Sequence, residues 1–119
     1  MAETELPLTP LTMSILLALA EGDKHGYALM KDVERQTGGM LVPGTGSLYA
    51  ALDRLAGEGL IEELRSRPAR EEDQRRKYFR ITADGRALAG AEAARMQRVL
   101  DTARERSLVP GQPSPRRAR

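Results

Sequence analysis

Apolar residues recur at helical spacing in four separate stretches of this chain, and two short runs between the third and fourth stretches are compatible with strands. Thr9-Pro10 reads as a helix start, a hydroxyl cap followed by a proline whose missing N–H costs nothing there. From it Leu11, Ile15, Leu16 and Leu19 predict a helix that stops at Gly22. A second helix is expected over 26–36, with Tyr27, Met30 and Val33 on its buried stripe and Lys31, Asp32 and Glu34 turned outward. Gly38-Gly39 ends it, and a turn through Met40–Gly44 leads to Thr45, a candidate cap for a third helix. In that helix Leu48, Leu52 and Leu55 fall at i, i+4 and i+7, a single buried row, and Gly57 and Gly59 close it. Leu60–Arg65 and Lys77–Ile81 are expected as two strands of a hairpin, joined by a polar loop that contains Pro68. Thr82 then caps a fourth helix through about Arg106.

Net charge is +2 over 119 residues, but it is unevenly placed. Residues 65–80 hold seven bases (Arg65, Arg67, Arg70, Arg75, Arg76, Lys77, Arg80) against Glu71, Glu72 and Asp73. The tail adds Arg116, Arg117 and Arg119, whereas the first 22 residues carry three acids and no base. Positive charge gathered in one loop and one tail suggests an anionic partner. With no cysteine and a single histidine, His25, no disulfide framework, thiolate site or histidine cluster can be built, so neither a metal nor a cofactor is expected. No nucleophile–base pair can be assembled either, so an enzyme is not expected. No apolar run reaches the roughly 20 residues of a bilayer span, and the acidic start at Glu3 and Glu5 does not suit a signal peptide. The expected address is cytoplasmic.

The order helix, helix, helix, strand, strand, helix describes a fold that is mainly α with a small β-hairpin: a winged helix-turn-helix followed by a C-terminal helix. In this architecture the third helix enters the DNA major groove and the hairpin wing lies along the backbone. The expected organisation is an N-terminal arm over 1–8, the winged domain over 9–81, a dimerisation helix over 82–107 and a disordered basic tail over 108–119.

Four fragments give a more specific indication. They are His25-Gly26-Tyr27 opening the second helix, Gly46-Ser47-Leu48-Tyr49-Ala50-Ala51-Leu52 in the third, Gly59-Leu60-Ile61 entering the first strand, and Arg76-Lys77-Tyr78-Phe79-Arg80-Ile81-Thr82 in the second. In this order the chain resembles the PadR family of bacterial transcriptional regulators, over roughly residues 8–103. It departs from the family pattern at Ala50, where proline is frequent, and at Phe79, where a second tyrosine is usual; neither change removes a charge. The resemblance implies a dimeric DNA-binding regulator, a repressor of the short kind, subject to control by a small molecule or another signal. It also implies that the fourth helix packs on the partner subunit together with the first.

The DNA-binding candidates are Thr45, Ser47, Tyr49 and Arg54 on the third helix, and Arg75, Arg76 and Lys77 in the wing. A helix N-terminus offers free N–H groups to phosphate, which suits Thr45 and Ser47. Tyr49 can donate its hydroxyl to phosphate or lie against a base edge, and Arg54 can pair with phosphate or guanine. The bland alternatives are a core aromatic at Tyr49 and a solvated charge at Arg54, and for the wing a solvated loop partly neutralised by its own acids. For His25-Gly26-Tyr27 a structural role is expected: His25 caps or packs, Gly26 allows close approach and Tyr27 fills the core.

On the fourth helix Ala89, Ala93, Met96, Leu100 and Ala103 recur at spacings of 4, 3, 4 and 3, with Leu88 and Val99 beside them. This is a two-heptad seam, a candidate homodimer interface or simply a docking face for the first helix. A symmetric dimer would set two recognition helices about one DNA turn apart, on a pseudo-palindromic operator in double-stranded DNA. An effector pocket would then lie between subunits, walled by the first and fourth helices. The competing function is a winged helix used for protein–protein docking without DNA, in keeping with the near-neutral net charge and the acids of the second helix.

Overall fold

The computed structural model describes residues 4–64 and 77–110. The hairpin loop with Arg75 and Arg76, and the tail from Gly111 onward, lie outside the described residues.

Helix α1 runs Pro10–Glu21, with the Thr9 hydroxyl accepting the Thr12 N–H at 3.2 Å and Gly22 closing its C-terminus. Strand β1, Lys24–His25, follows, then helix α2, Gly26–Gln36. His25 Nδ1 accepts the Ala28 N–H at 3.2 Å, so this residue is both the end of a strand and the cap of a helix. Helix α3 is Thr45–Gly57, strands β2 and β3 are Ile61–Leu64 and Tyr78–Ile81, and helix α4 is Ala83–Glu105. The sheet is antiparallel, in the order β1-β3-β2, with Phe79 opposite both Lys24 and Glu63.

Several expectations need correcting. The sheet has a third strand, β1, too short at two residues to show an alternating pattern. Thr45 is the first residue of α3 rather than its cap; Gly44 occupies the cap position and supplies no side-chain bond. Leu60 is not in β2, because its N–H closes α3 on the Leu55 carbonyl at 3.0 Å and its own carbonyl accepts the Thr82 N–H at 3.1 Å. Lys77 likewise precedes β3.

The face of α2 is also rotated from expectation. Gly26, Leu29 and Val33 point inward, at i, i+3 and i+7, while Tyr27 is 62% exposed, with the Lys31 ammonium 5.6 Å from its ring centre. Gly26 must face in because a Cβ there would meet the Tyr49 phenol, and Tyr27, a further 100° round the helix, is thereby carried outward. Asp32, expected at the surface, is buried; Arg35 pairs with it and Gln36 Nε2 reaches it at 3.4 Å.

The core forms where α1, α2 and α3 meet the sheet. Leu16, Leu29, Leu48, Leu52 and Leu55 have no exposed surface, and Ile61, Phe79 and Ile81 close the core from the sheet side. Each such aliphatic side chain contributes about 1.5–3 kcal/mol by leaving water. Only the first turns of α4 join this core: Gly85, Ala89 and Glu92 are buried and Leu88 half-buried, while the helix beyond Arg95 is mostly exposed. No described helix is long and apolar enough to cross a membrane.

Candidate nucleic-acid interface

The inward row of α3 fixes what the helix can present. With Leu48, Leu52 and Leu55 buried, the opposite side carries Gly46, Ala50, Asp53 and Gly57, all exposed and spaced 4, 3 and 4 apart. Ser47 and Arg54 stand on one flank of this row and Tyr49 on the other. Thr45 and Ser47 are exposed at the first turn, where backbone N–H groups and the helix dipole favour an anion.

Tyr49 and Arg54 are both turned partly toward the protein. Tyr49 is half-buried, and its hydroxyl end lies over Gly26, where an added Cβ would come within 2.0 Å of the phenolic oxygen. Arg54 donates from Nη2 to the buried Thr12 hydroxyl at 2.8 Å, tying α3 to the first turn of α1. Neither side chain projects from the outermost row. Lys77, at the described edge of the wing, is exposed and 3.9 Å from the Glu63 carboxylate, a weak surface pair that leaves its ammonium accessible.

The N-terminal arm flanks the same surface, a placement not foreseen from the sequence. The N-terminal arm runs beside α3 and is held at both ends by carboxylates: the Thr4 N–H donates to Glu58 at 2.8 Å and the Leu8 N–H to Glu92 at 3.0 Å. Between arm and helix lies a cleft of about 480 Å³, bordered by Glu5, Ser47, Arg54 and Glu58. The sequence signal for Glu92 is an acid closing the inward row Gly85, Leu88, Ala89, Glu92 of α4, a position where an apolar residue would be usual.

Glu92 is 2% exposed and is gripped by Arg95 through two bonds of 2.6 and 3.1 Å. The Arg95 guanidinium and, behind it, the Leu8 N–H hold the Glu92 carboxyl below its ordinary value of 4.5, against the opposing effect of burial. Because the folded value is depressed, the stabilisation is complete above pH 4.5 and is lost as pH falls through the folded value. Glu21, paired with Lys24, is depressed as well and acts in the same direction. Glu92→Gln is therefore expected to be less stable than the parent chain at neutral pH, with the gap closing below pH 4.5. Urea midpoints across a pH series check this; a gap that stays constant into acid would mean that the charge of Glu92 contributes nothing.

The candidate seam of α4 divides in two. Leu88 and Ala89 are used within the protomer, against the core. Ala93, Met96 and Leu100 are exposed, Ala103 is half-buried, and Val99 is 58% exposed beside them. Leu17 of α1, 46% exposed, faces the same groove, whose volume is about 670 Å³. Leu17 was legible in principle: α1 is apolar nearly all round from Ile15 to Ala20, the pattern of a helix covered on more than one side. Among the described residues no group of His, Cys, Asp and Glu could hold a metal ion.

Known proteins resemble this chain in sequence and in fold. The model of the transcriptional regulator PadR-like family matches residues 15–91. A 37.1 kDa protein in transposon TN4556 of Streptomyces fradiae is 41% identical over 87 residues, covering 73% of this chain and 23% of its own length. The transcriptional regulator YqjI of Escherichia coli is 36% identical over 75 residues, covering 63% of this chain and 33% of its own. The chain thus spans only 23% to 33% of the length of these relatives. Among solved structures, a transcriptional regulator from Clostridium thermocellum superposes with a TM-score of 0.65 at 29% identity, over 79% of this chain and 89% of that one.

Proposed function

The chain belongs to the PadR-like family of transcriptional regulators, and from that membership we propose that it is a sequence-specific repressor that binds duplex DNA as a homodimer. The family is one of regulators, not enzymes. The observation that carries the reading is the exposed face of α3, presented by a three-helix core to which the wing strands β2 and β3 are joined. Residues 9–81 form the DNA-binding unit, and the helix within 82–107 pairs the subunits. Thr45 and Ser47 receive phosphate at the helix N-terminus, and Tyr49 and Arg54 border the groove. Arg75, Arg76 and Lys77 carry the wing's charge to the backbone.

Two copies joined through Leu17, Ala93, Met96, Leu100 and Ala103 would cover the apolar groove and present two recognition helices to a pseudo-palindromic operator. A small-molecule effector would lie in the same seam, between α1 and α4 of the two subunits. A repressor of this kind acts in the cytoplasm, where its DNA is.

The test is a salt series. If each subunit neutralises about three phosphates, the slope of log affinity against log salt is about −5. Arg75→Ala with Arg76→Ala should flatten it by about two units per subunit copy of the wing engaged, and weaken operator and random duplex by similar factors, because phosphate is the same in every sequence. A slope near zero would instead favour a protein-docking module, and loss of operator affinity alone would mean that the wing reads bases.

A further inference from the structure

We infer that Asp53 is a specificity-determining residue, reading the exocyclic amino group of a cytosine in the major groove. The inference rests on the reading of α3 as a recognition helix and adds to it the base that one position selects.

Three observations lead there. First, the outermost row of α3 is Gly46, Ala50, Asp53, Gly57, and Asp53 is its only residue with a polar side chain. Gly46 and Gly57 are not small because the protein needs them so: a Cβ at either would meet nothing within 4 Å. Their shortness lets the helix axis come close to the base edges, within reach of a side chain as short as aspartate. Second, the longer neighbours are committed elsewhere, Tyr49 over Gly26 and Arg54 on Thr12. Third, the Asp53 carboxylate has no hydrogen bond or ion pair among the described residues, although its helix neighbours Tyr49 and Arg54 do pack or pair.

An unpaired carboxylate facing DNA is a liability unless the groove provides a donor. It has acceptor oxygens only, and phosphates on both sides repel it. The donors in the major groove are the amino groups of cytosine and adenine; the guanine edge and thymine O4 offer acceptors. Adenine presents its donor beside the N7 acceptor, which a carboxylate cannot satisfy, whereas cytosine presents the donor without that neighbour. Asp53 therefore penalises every duplex and is relieved where cytosine lies beneath it. This is selection by an unmet charge as much as by an attractive contact.

The experiment is selection of binding sites from a randomised duplex library with the full chain, its Asp53→Asn variant and its Asp53→Ala variant, each first shown to melt like the parent. The parent is expected to enrich a two-fold symmetric motif with one cytosine in each half specified by Asp53. Asparagine can donate and accept against the adenine edge, so Asp53→Asn should enrich the same motif with adenine at that single position. Asp53→Ala should bind random duplex more tightly and lose preference at that position, lowering the operator-to-random ratio about tenfold or more. A parent motif left unchanged in both variants overturns this inference and leaves the regulator reading intact. Equal gains on operator and random duplex in Asp53→Ala would also overturn it, reducing Asp53 to a repulsive surface charge. A parent chain that binds duplex but enriches no motif overturns sequence reading itself, and Asp53 with it.

Discussion

Leu100→Glu is expected to break the proposed homodimer, sedimenting as a monomer at concentrations where the parent self-associates, and to lose most of its operator affinity in consequence. Leu100 is 37% exposed in the protomer and lies in the groove shared with Leu17 and Met96. Two-fold symmetry brings the substitution into the interface twice, so each dimer would bury two carboxylates against aliphatic surface. An unpaired buried ion costs several kcal/mol even after relaxation. Two of them, at about 3 kcal/mol each, would weaken association about 10⁴-fold. Each monomer would then contact only a half-site, and the linkage that makes the second half-site nearly free would be gone. Leu100→Met, which conserves volume and polarity, should remain a dimer. Sedimentation of both variants across a concentration series checks the pair; a Leu100→Glu chain with the parent's dimer constant would move the interface away from α4.

Gly85→Ala is expected to be the most damaging single methyl added to the fold. A Cβ at Gly85 would lie 2.1 Å from the Leu60 carbonyl oxygen and 2.9 Å from Ile81 Cγ1. The Leu60 oxygen cannot turn aside, because it accepts the Thr82 N–H that starts α4. Relief must come from α4 lifting off the sheet, and overpacking that moves backbone costs about 3 kcal/mol, the upper part of its usual range. The same change at Gly26 meets only the hydroxyl end of Tyr49, a ring that can swing outward, and should cost less. At Gly90 it meets nothing within 4 Å in the middle of a helix, where alanine is favoured by up to about 1 kcal/mol. Urea unfolding of the three variants should therefore rank Gly85→Ala lowest and Gly90→Ala highest. A Gly85→Ala midpoint equal to that of the parent would mean that the close approach of α4 to Leu60 is not a constraint.

The contrast among these glycines shows what could be read from the chain and what could not. Thr9, Gly22, His25 and Thr82 act on N–H and carbonyl groups within four residues, so their helix boundaries were legible from the sequence, as was the leucine row of α3. Thr45 misled because Gly44, with no side chain to cap, can adopt the same extended backbone one residue earlier. The face of α2 was not legible, since two stripes share Val33 and the choice depends on Tyr49, more than twenty residues away. The same holds for Asp32, Glu92 and the arm: a charged residue reads as exposed until the partner that neutralises it is known. At the candidate interface, residue type drew attention to Tyr49 and Arg54. The outermost row follows from the leucine row by helix geometry, but that Tyr49 turns over Gly26 and Arg54 onto Thr12, leaving Asp53 forward, depended on packing.

The clasped arm has a practical side. Glu58 and Glu92 hold the backbone at Thr4 and Leu8, so the chain passes along the flank of α3 and not away from it. A purification tag, a fluorescent reporter or another domain fused to this end is therefore tethered, through Thr4, close to α3. For anyone labelling the protein, that end is the one where added bulk competes for space with whatever α3 binds.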